Sequence, residues 1–360
     1  MKTKNEKKPL YIEIYEAMRD GIVSGAYRYG SRLPSKRELA AEKNVSVITV
    51  EHAYGLLSDE GYVESREKSG YFVIYKDSDF NSVAPSERRT AKSGDKTPQR
   101  TYEFPYSVLA KTMRRVMLDY GTRILERSPN TGSEELRASI ALYLARSSGI
   151  AVDKDQIVIG SGAEYLYSLI AQLLGKDRIF ALEKPSYGKI QRVYEASGVK
   201  CELLKMDADG IGSSELEKSR ASVLHVTPFN SFPSGVTAGA TKRREYVAWA
   251  KARRGYIIED NYDSEMTVSR KNEDTLFSLS DDENIIYLNT FSQTISRSIR
   301  VGYMVLPAPL YEKFEQKLGF YSCTVPVFEQ YVLAELISSG DFERHINRVR
   351  RSKRKNNKEK

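Results

Sequence analysis

The sequence predicts an α/β protein in two folded parts, a small helical module closed by a β-hairpin and a larger domain built on a mainly parallel sheet. Three observations carry this. Apolar residues after Pro9 recur at helical spacing, and two capped helical stretches and an alternating hairpin follow them. The polar, Pro- and Ser-containing stretch DSDFNSVAPSERRTAKSGDKTPQR then breaks every periodicity. Beyond it, short apolar runs bounded by turn residues alternate with helical patterns, the signature of buried parallel strands with crossover helices.

In LYIEIYEAMRDGIVSG, Ile14, Met18 and Ile22, with Ala17 alongside, make one helical face, and Gly25 ends it. Pro34-Ser35 caps a short helix, Lys36 to Lys43. Asn44 and Val45 turn the chain, and Ser46 caps a second helix through Leu57. Gly61 turns it again, and YVESREKSGYFVIY alternates as two strands around Lys68-Ser69-Gly70. Helix, helix–turn–helix, hairpin is a winged helix–turn–helix, assigned to residues 1–76. Residues 77–100 are the linker, and 101–360 are the larger domain. There the strand candidates are IVIG (157–160), RIFALE (178–183), KCELLKM (200–206), SVLHVTP (222–228), YIIED (256–260), NIIYLN (284–289) and VGYMVLP (301–307).

Several classes are excluded. No run approaches the roughly 20 apolar residues of a membrane span. The opening MKTKNEKKPL lacks the apolar core of a secretory signal, so a cytoplasmic chain is expected. The two cysteines are far apart and the three histidines cluster nowhere in sequence, which argues against a metal site. The net charge of +8 is concentrated after Asp341, so it says little about nucleic acid by itself.

The second helix of a helix–turn–helix enters the major groove N-terminus first. Its exposed start here offers Ser46, Thr49 and, one turn on, His52 and Ala53. Arg37 is placed for a phosphate, and Arg66 and Lys68 sit on the hairpin tip. Singly, each has a plain structural reading: a cap, a solvated face, a surface charge. As an ordered set, PSKRELA, VSVITVEHAY and LLSDEGYVESREKSGYFV resemble the winged helix of the GntR family of bacterial regulators over Leu10 to Val73. Two positions depart from the family pattern. Val47 stands where an Arg is usual, and Lys68-Ser69-Gly70 where the wing usually reads G-x-G.

The larger domain carries a second ordered set. GSGAEYLYSL (160–169) is a Gly turn opening a helix, where backbone N–H groups suit a phosphate. EKPSYG places Tyr187 on a loop after a strand, TPFNSFPSG is a Pro-punctuated loop after another, IIEDNYDSE ends a strand in carboxylates, and NTFSQTISRSIRVGY follows. In that order they resemble fold-type I pyridoxal-phosphate enzymes of the aminotransferase family. With the N-terminal module, the chain resembles the MocR subfamily of GntR regulators over nearly all of residues 10–355, including NTGSEELRASIALYL (130–144) and SSGDFERHINRVRR (338–351). The resemblance implies that Asp260 pairs with the pyridinium nitrogen and Tyr262 bonds the 3-oxygen. It implies that Gly162, Ala163, Ser292 and Arg300 cradle the phosphate and that Tyr187 covers the ring.

It also puts Gln293 on the Schiff-base lysine, with TFS before it and SIRVGYMVLP after it, and no lysine lies between Lys271 and Lys313. A glutamine amide is neither nucleophilic nor basic, so no catalytic residue is assigned. The family continues for one further small domain that carries the carboxylate-gripping arginine, so an effector domain without that part is expected. The expectation is therefore a cytoplasmic, bacterial, homodimeric regulator. It binds a double-stranded DNA operator and senses pyridoxal phosphate, noncovalently at most, or an amino compound. An active aminotransferase and a truncated, non-functional remnant are the alternatives.

Overall fold

The computed structural model describes residues 9–66, 69–75, 104–266, 274–280 and 283–356. Two compact units result, Met1–Thr97 and Pro98–Lys360. The expected linker, 77–100, and Lys68 lie outside the described residues.

The first unit packs α1 (Leu10–Val23), α2 (Lys36–Glu42) and α3 (Val47–Asp59) against the hairpin β1 (Val63–Arg66) and β2 (Gly70–Val73). In α1, Ile14, Met18 and Ile22 are buried as the spacing predicts, but the residue that flanks them in the core is Tyr15, whereas Ala17 faces water. Ser35 caps α2 through a reciprocal box with Glu38. Asn44 takes the left-handed turn between the two helices (φ 51°). The Ser46 side chain accepts from the Thr49 N–H and caps α3. The core gathers Leu39, Val50, Ala53, Tyr54, Leu57, Val63 and Val73. Tyr54 is fully buried and donates its hydroxyl to Pro34 O at 2.8 Å, which ties α3 to the segment before α2.

The second unit is three-layered. Its sheet holds β3 (Ile157–Gly160), β4 (Ile179–Lys184), β5 (Lys200–Asp207), β6 (Gly210–Ile211), β7 (Val223–Val226), β8 (Tyr256–Asp260), β9 (Ile285–Thr290) and β10 (Gly302–Val305), in the order β3-β10-β9-β8-β7-β4-β5-β6. The strands β5, β4, β7, β8 and β9 are parallel. β10 runs antiparallel to both β9 and β3, so β3 points the same way as the others.

The helices are α4 (Tyr106–Tyr120), α5 (Glu134–Ser148), α6 (Ala163–Leu174), α7 (Gly188–Ala196), α8 (Ser213–Lys218), α9 (Ala240–Arg253), α10 (Leu276–Leu279), α11 (Ala308–Leu318), α12 (Val327–Ser338) and α13 (Asp341–Asn356). Successive strand residues face opposite layers. Ile258, Ile286 and Leu288 pack with α6, α7 and α11. Ile257 and Ile285 pack with α8, α9 and α10. Tyr287, Tyr303 and Val305 join α5, α12 and α13 in a third cluster.

This topology decides where a site can form. The C-terminal ends of β3, β4, β7, β8 and β9 and the start of β10 share one edge of the sheet, where ligands of open α/β sheets bind.

Candidate DNA interface and cofactor site

In the first unit, Arg37 is exposed on the first turn of α2, and Ser46 and His52 are exposed on α3. Ser46 already caps α3, and its Oγ lies 2.8 Å from Thr49 Oγ1; Thr49 is half-buried. The His52 ring stands edge-on to Tyr11 (centroids 6.0 Å apart). Ala53 is not on the exposed face: it is fully buried, because α3 turns that position onto the core. Arg66 is exposed, but its guanidinium donates to Glu64 at 2.7 Å and lies over the Phe72 ring at 4.4 Å, which fixes it against the wing. One cation was missed. Arg32 approaches the hairpin so closely that a Cβ on Gly70 would stand 3.0 Å from its Nε. Its segment also pairs with the wing, Leu33 N–H to Tyr71 O at 2.9 Å. Lone Arg32 in a loop gave no periodic signal.

In the second unit, every proposed cofactor residue lies at the common sheet edge. Gly162 and Ala163 follow β3. Gly162 is the N-cap of α6, with φ 94° and no side-chain cap. That conformation favours glycine. A Cβ there would stand 2.9 Å from Arg300 Nη2, so the guanidinium sits directly on this turn. Arg300 also pairs with Glu164, and Lys189 Nζ is 3.7 Å from the same carboxylate. Ser292 follows β9, its hydroxyl donating to Ile299 O at 3.1 Å. Gln293 is on the same turn, half-buried, and Phe291 N–H to Val301 O at 2.9 Å pins the turn beside β10.

Asp260 ends β8 and is 2% exposed. It accepts from the Tyr167 hydroxyl and, at 3.2 Å, from the Tyr262 backbone N–H; His225 Nε2 is 3.5 Å away. The Tyr194 hydroxyl lies 2.7 Å from His225 Nδ1. A buried carboxyl needs hydrogen-bond partners such as the Tyr167 hydroxyl and the Tyr262 N–H. Tyr262 is half-buried; desolvation raises its phenol well above the ordinary value, and its hydroxyl donates to Asn230 O at 3.2 Å. Tyr187 is half-buried at the N-cap of α7, its ring edge-on to Phe232 with centroids 6.2 Å apart.

Tyr167, Tyr194 and His225 were not found in the sequence. His225 lies in the middle of an apolar run, and its neighbour Asp260 is on a different strand. A polar residue inside a buried strand was the available signal.

Three further carboxyls, Glu183, Glu259 and Glu265, are buried and pushed up to about 7 by desolvation. Glu259 accepts from the Leu276 and Phe277 N–H groups at 3.0 and 2.8 Å. It binds its proton more tightly folded than unfolded. Its contribution is therefore fully present below the ordinary carboxyl range and is lost as pH rises to about 7. Removing that ionisation in Glu259→Gln should make the variant more stable relative to wild type at pH 8 than at pH 5, by on the order of 3 kcal/mol. Paired melting curves at the two pH values check this; a gap independent of pH would mean that Glu259 ionises like a surface carboxyl.

A winged helix–turn–helix joined to an aminotransferase-type α/β unit defines a class of bacterial regulator, and the comparisons agree. Residues 10–73 match the family of bacterial regulatory proteins of the gntR type, and residues 100–359 match aminotransferase class I and II. The chain is 32% identical over 357 residues to an uncharacterized HTH-type transcriptional regulator, YdeL, of Bacillus subtilis, covering 96% of this chain and 77% of that one. It is 29% identical to the probable rhizopine catabolism regulatory protein MocR of Rhizobium meliloti (95% and 74%) and 27% identical to the pyridoxine biosynthesis regulator PdxR of Corynebacterium glutamicum (96% and 77%). Among solved structures, a kynurenine aminotransferase of Pyrococcus horikoshii superposes with a TM-score of 0.64 at 25% identity. There 69% of this chain covers 64% of that one, less than two thirds of its length. The chain thus belongs to the MocR-type GntR family, DNA-binding transcriptional regulators with an aminotransferase-like domain. Among the described residues, no helix is long and apolar enough to cross a membrane.

Proposed function

We propose that the aminotransferase-like unit of this regulator is a sensor that binds pyridoxal phosphate or an amino compound and catalyses no transamination. Gln293 carries the reading. It stands on the turn after β9, at the same sheet edge as Asp260, Tyr262, Gly162 and Arg300, where the family resemblance places a lysine. The geometry suits the cofactor: a buried carboxylate for a ring nitrogen, and a glycine turn against an arginine for a phosphate.

Gly162 and Ala163 at the start of α6, with Ser292 and Arg300, would hold the phosphate, since a helix N-terminus and a guanidinium both favour an anion. Asp260, fixed by Tyr167 and the Tyr262 backbone, would pair with the ring nitrogen and favour its protonated form. Tyr262, whose phenol burial keeps protonated, would offer its hydroxyl to the 3-oxygen in place of Asn230 O, and Tyr187 would cover the ring. Bound pyridoxal phosphate supplies an electron sink. The amide of Gln293 offers neither a nucleophile nor a base to use it, so the bound state is a noncovalent signal. One relative is named for control of pyridoxine biosynthesis, which supports this ligand class.

The remaining assignments follow the same reading. Residues 1–76 bind the DNA operator through Arg37, Ser46, Thr49, His52, Arg66 and Lys68, and 77–100 join them to the sensor, 101–360. The chain works as a homodimer in the cytoplasm, since two copies match paired half-sites.

The test is a titration of the full chain with pyridoxal phosphate, followed by fluorescence, beside its affinity for duplexes it has enriched from a randomised library. Saturable binding that shifts DNA affinity severalfold, with no 2-oxo acid formed from amino acids, is expected; by linkage the DNA must shift ligand affinity by the same factor. Repeated turnover to a 2-oxo acid would make the protein an enzyme and overturn the reading.

A further inference from the structure

The start of α3 exposes apolar side chains. Ile48 is 64% exposed and Val47 41%, both on the first turn after the Ser46 cap. The opposite side of the helix is committed to the core through Val50, Ala53, Tyr54 and Leu57. The two aliphatic groups therefore contribute little to the fold.

Most of the polar groups around them are already engaged. The Ser46 and Thr49 hydroxyls are bonded to each other, and Ser46 also caps the helix. Glu51 is ion-paired with Lys36 of α2 at 2.6 Å. His52 rests against Tyr11. Arg, Lys, Asn and Gln are the side chains that read guanine or adenine through paired hydrogen bonds. The helix sequence VITVEHAYGLLSD contains none of them. In the major groove, the feature that suits a branched aliphatic group is the 5-methyl of thymine.

On the DNA-binding role assigned above, we propose that Ile48, with Val47 beside it, is a specificity-determining contact that selects thymine by its methyl group. Sequence reading at this turn is by apolar contact, while phosphate contacts elsewhere set affinity without sequence preference. The operator half-site accordingly carries thymine where the first turn of α3 meets the bases.

The test uses the full chain and duplexes it has enriched from a randomised library. Each dT is replaced singly by dU, which removes only the methyl, and affinity is measured at one fixed salt concentration. At one or more positions the loss should be about three- to fivefold, the worth of one buried methyl-sized group. Ile48→Ser should bind that dU duplex and its dT parent alike, whereas Ile48→Val should keep the preference. Both changes are at an exposed position, so the fold is retained. Salt-dependent, sequence-selective binding that no dU weakens overturns the proposal and leaves the DNA-binding role intact. So does a dU penalty that persists in full in Ile48→Ser. Failure to enrich any duplex removes the DNA-binding role and this proposal with it.

Discussion

Replacing Gln293 with lysine should convert noncovalent cofactor binding into covalent capture. The argument is local. The turn from Phe291 to Ile295 is closed by the Ile295 N–H on Phe291 O at 2.9 Å and pinned by Phe291 N–H on Val301 O, so position 293 is held on a defined backbone. It is half-buried, between the buried Phe291 and the buried Thr294 and Ile295 of the same turn. A lysine there brings the missing amine to the sheet edge that carries Asp260 and the Gly162–Arg300 cradle. Wild type incubated with pyridoxal phosphate and then borohydride should show no added mass at a 1:1 ratio, and Gln293→Lys should show one cofactor per chain on a peptide containing residue 293. Binding by both forms with equal labelling of other lysines, and none at 293, would mean that the turn does not face the cofactor. Transaminase activity need not return, because a nucleophile is only one of the groups that reaction needs.

Most of the architecture was legible because local chemistry and global fold agree. Buried strands are apolar on both faces, which made six of the seven runs legible; β5, with only Leu204 buried, also became a strand, and the ends of all seven fall within about two residues. The Ser35 and Ser46 caps were equally plain, because each satisfies N–H groups of its own helix. What failed was what depends on neighbours. The antiparallel direction of β10 is invisible in VGYMVLP, since an apolar strand has the same composition either way. β6 is two residues long and gives no period at all. That Tyr15 rather than Ala17 joins Ile14, Met18 and Ile22 in the core follows from packing against α3.

The candidate site divides along the same line. Gly162, Asp260 and Tyr262 were singled out because strand-end loops carry recognisable turns, and Gln293 through the family resemblance; all four lie at one sheet edge. The Tyr167–Asp260–His225–Tyr194 chain was not, because it joins α6, β8, β7 and α7. Three of these side chains look like ordinary core aromatics, and the sheet alone brings them together.

Deleting residues 1–76 should abolish sequence-selective DNA binding, lowering affinity for an enriched duplex by about 10³-fold or more, the usual gap between specific and non-specific binding. The rival surface is α13, where Arg348 and Arg351 are exposed and the opposite face is buried through Phe342, Ile346 and Val349. Its positive charge is partly committed: Arg350 donates to Glu265 O at 2.6 Å and Lys353 to Met266 O at 3.0 Å. A helix of this kind attracts phosphates and reads no bases, so what binding it gives falls steeply with salt and ignores sequence. The two surfaces therefore differ in kind, and one comparison separates them: the affinity of residues 77–360 for an enriched duplex and for a scrambled one, at low and moderate salt. Equal, weak and salt-sensitive binding to both duplexes is the expected result and leaves recognition with α3 and the wing. A retained preference for the enriched duplex would transfer recognition to α13, and with it the assignment of Arg37, Ser46, Thr49, His52 and Arg66 as the DNA-facing set would fall.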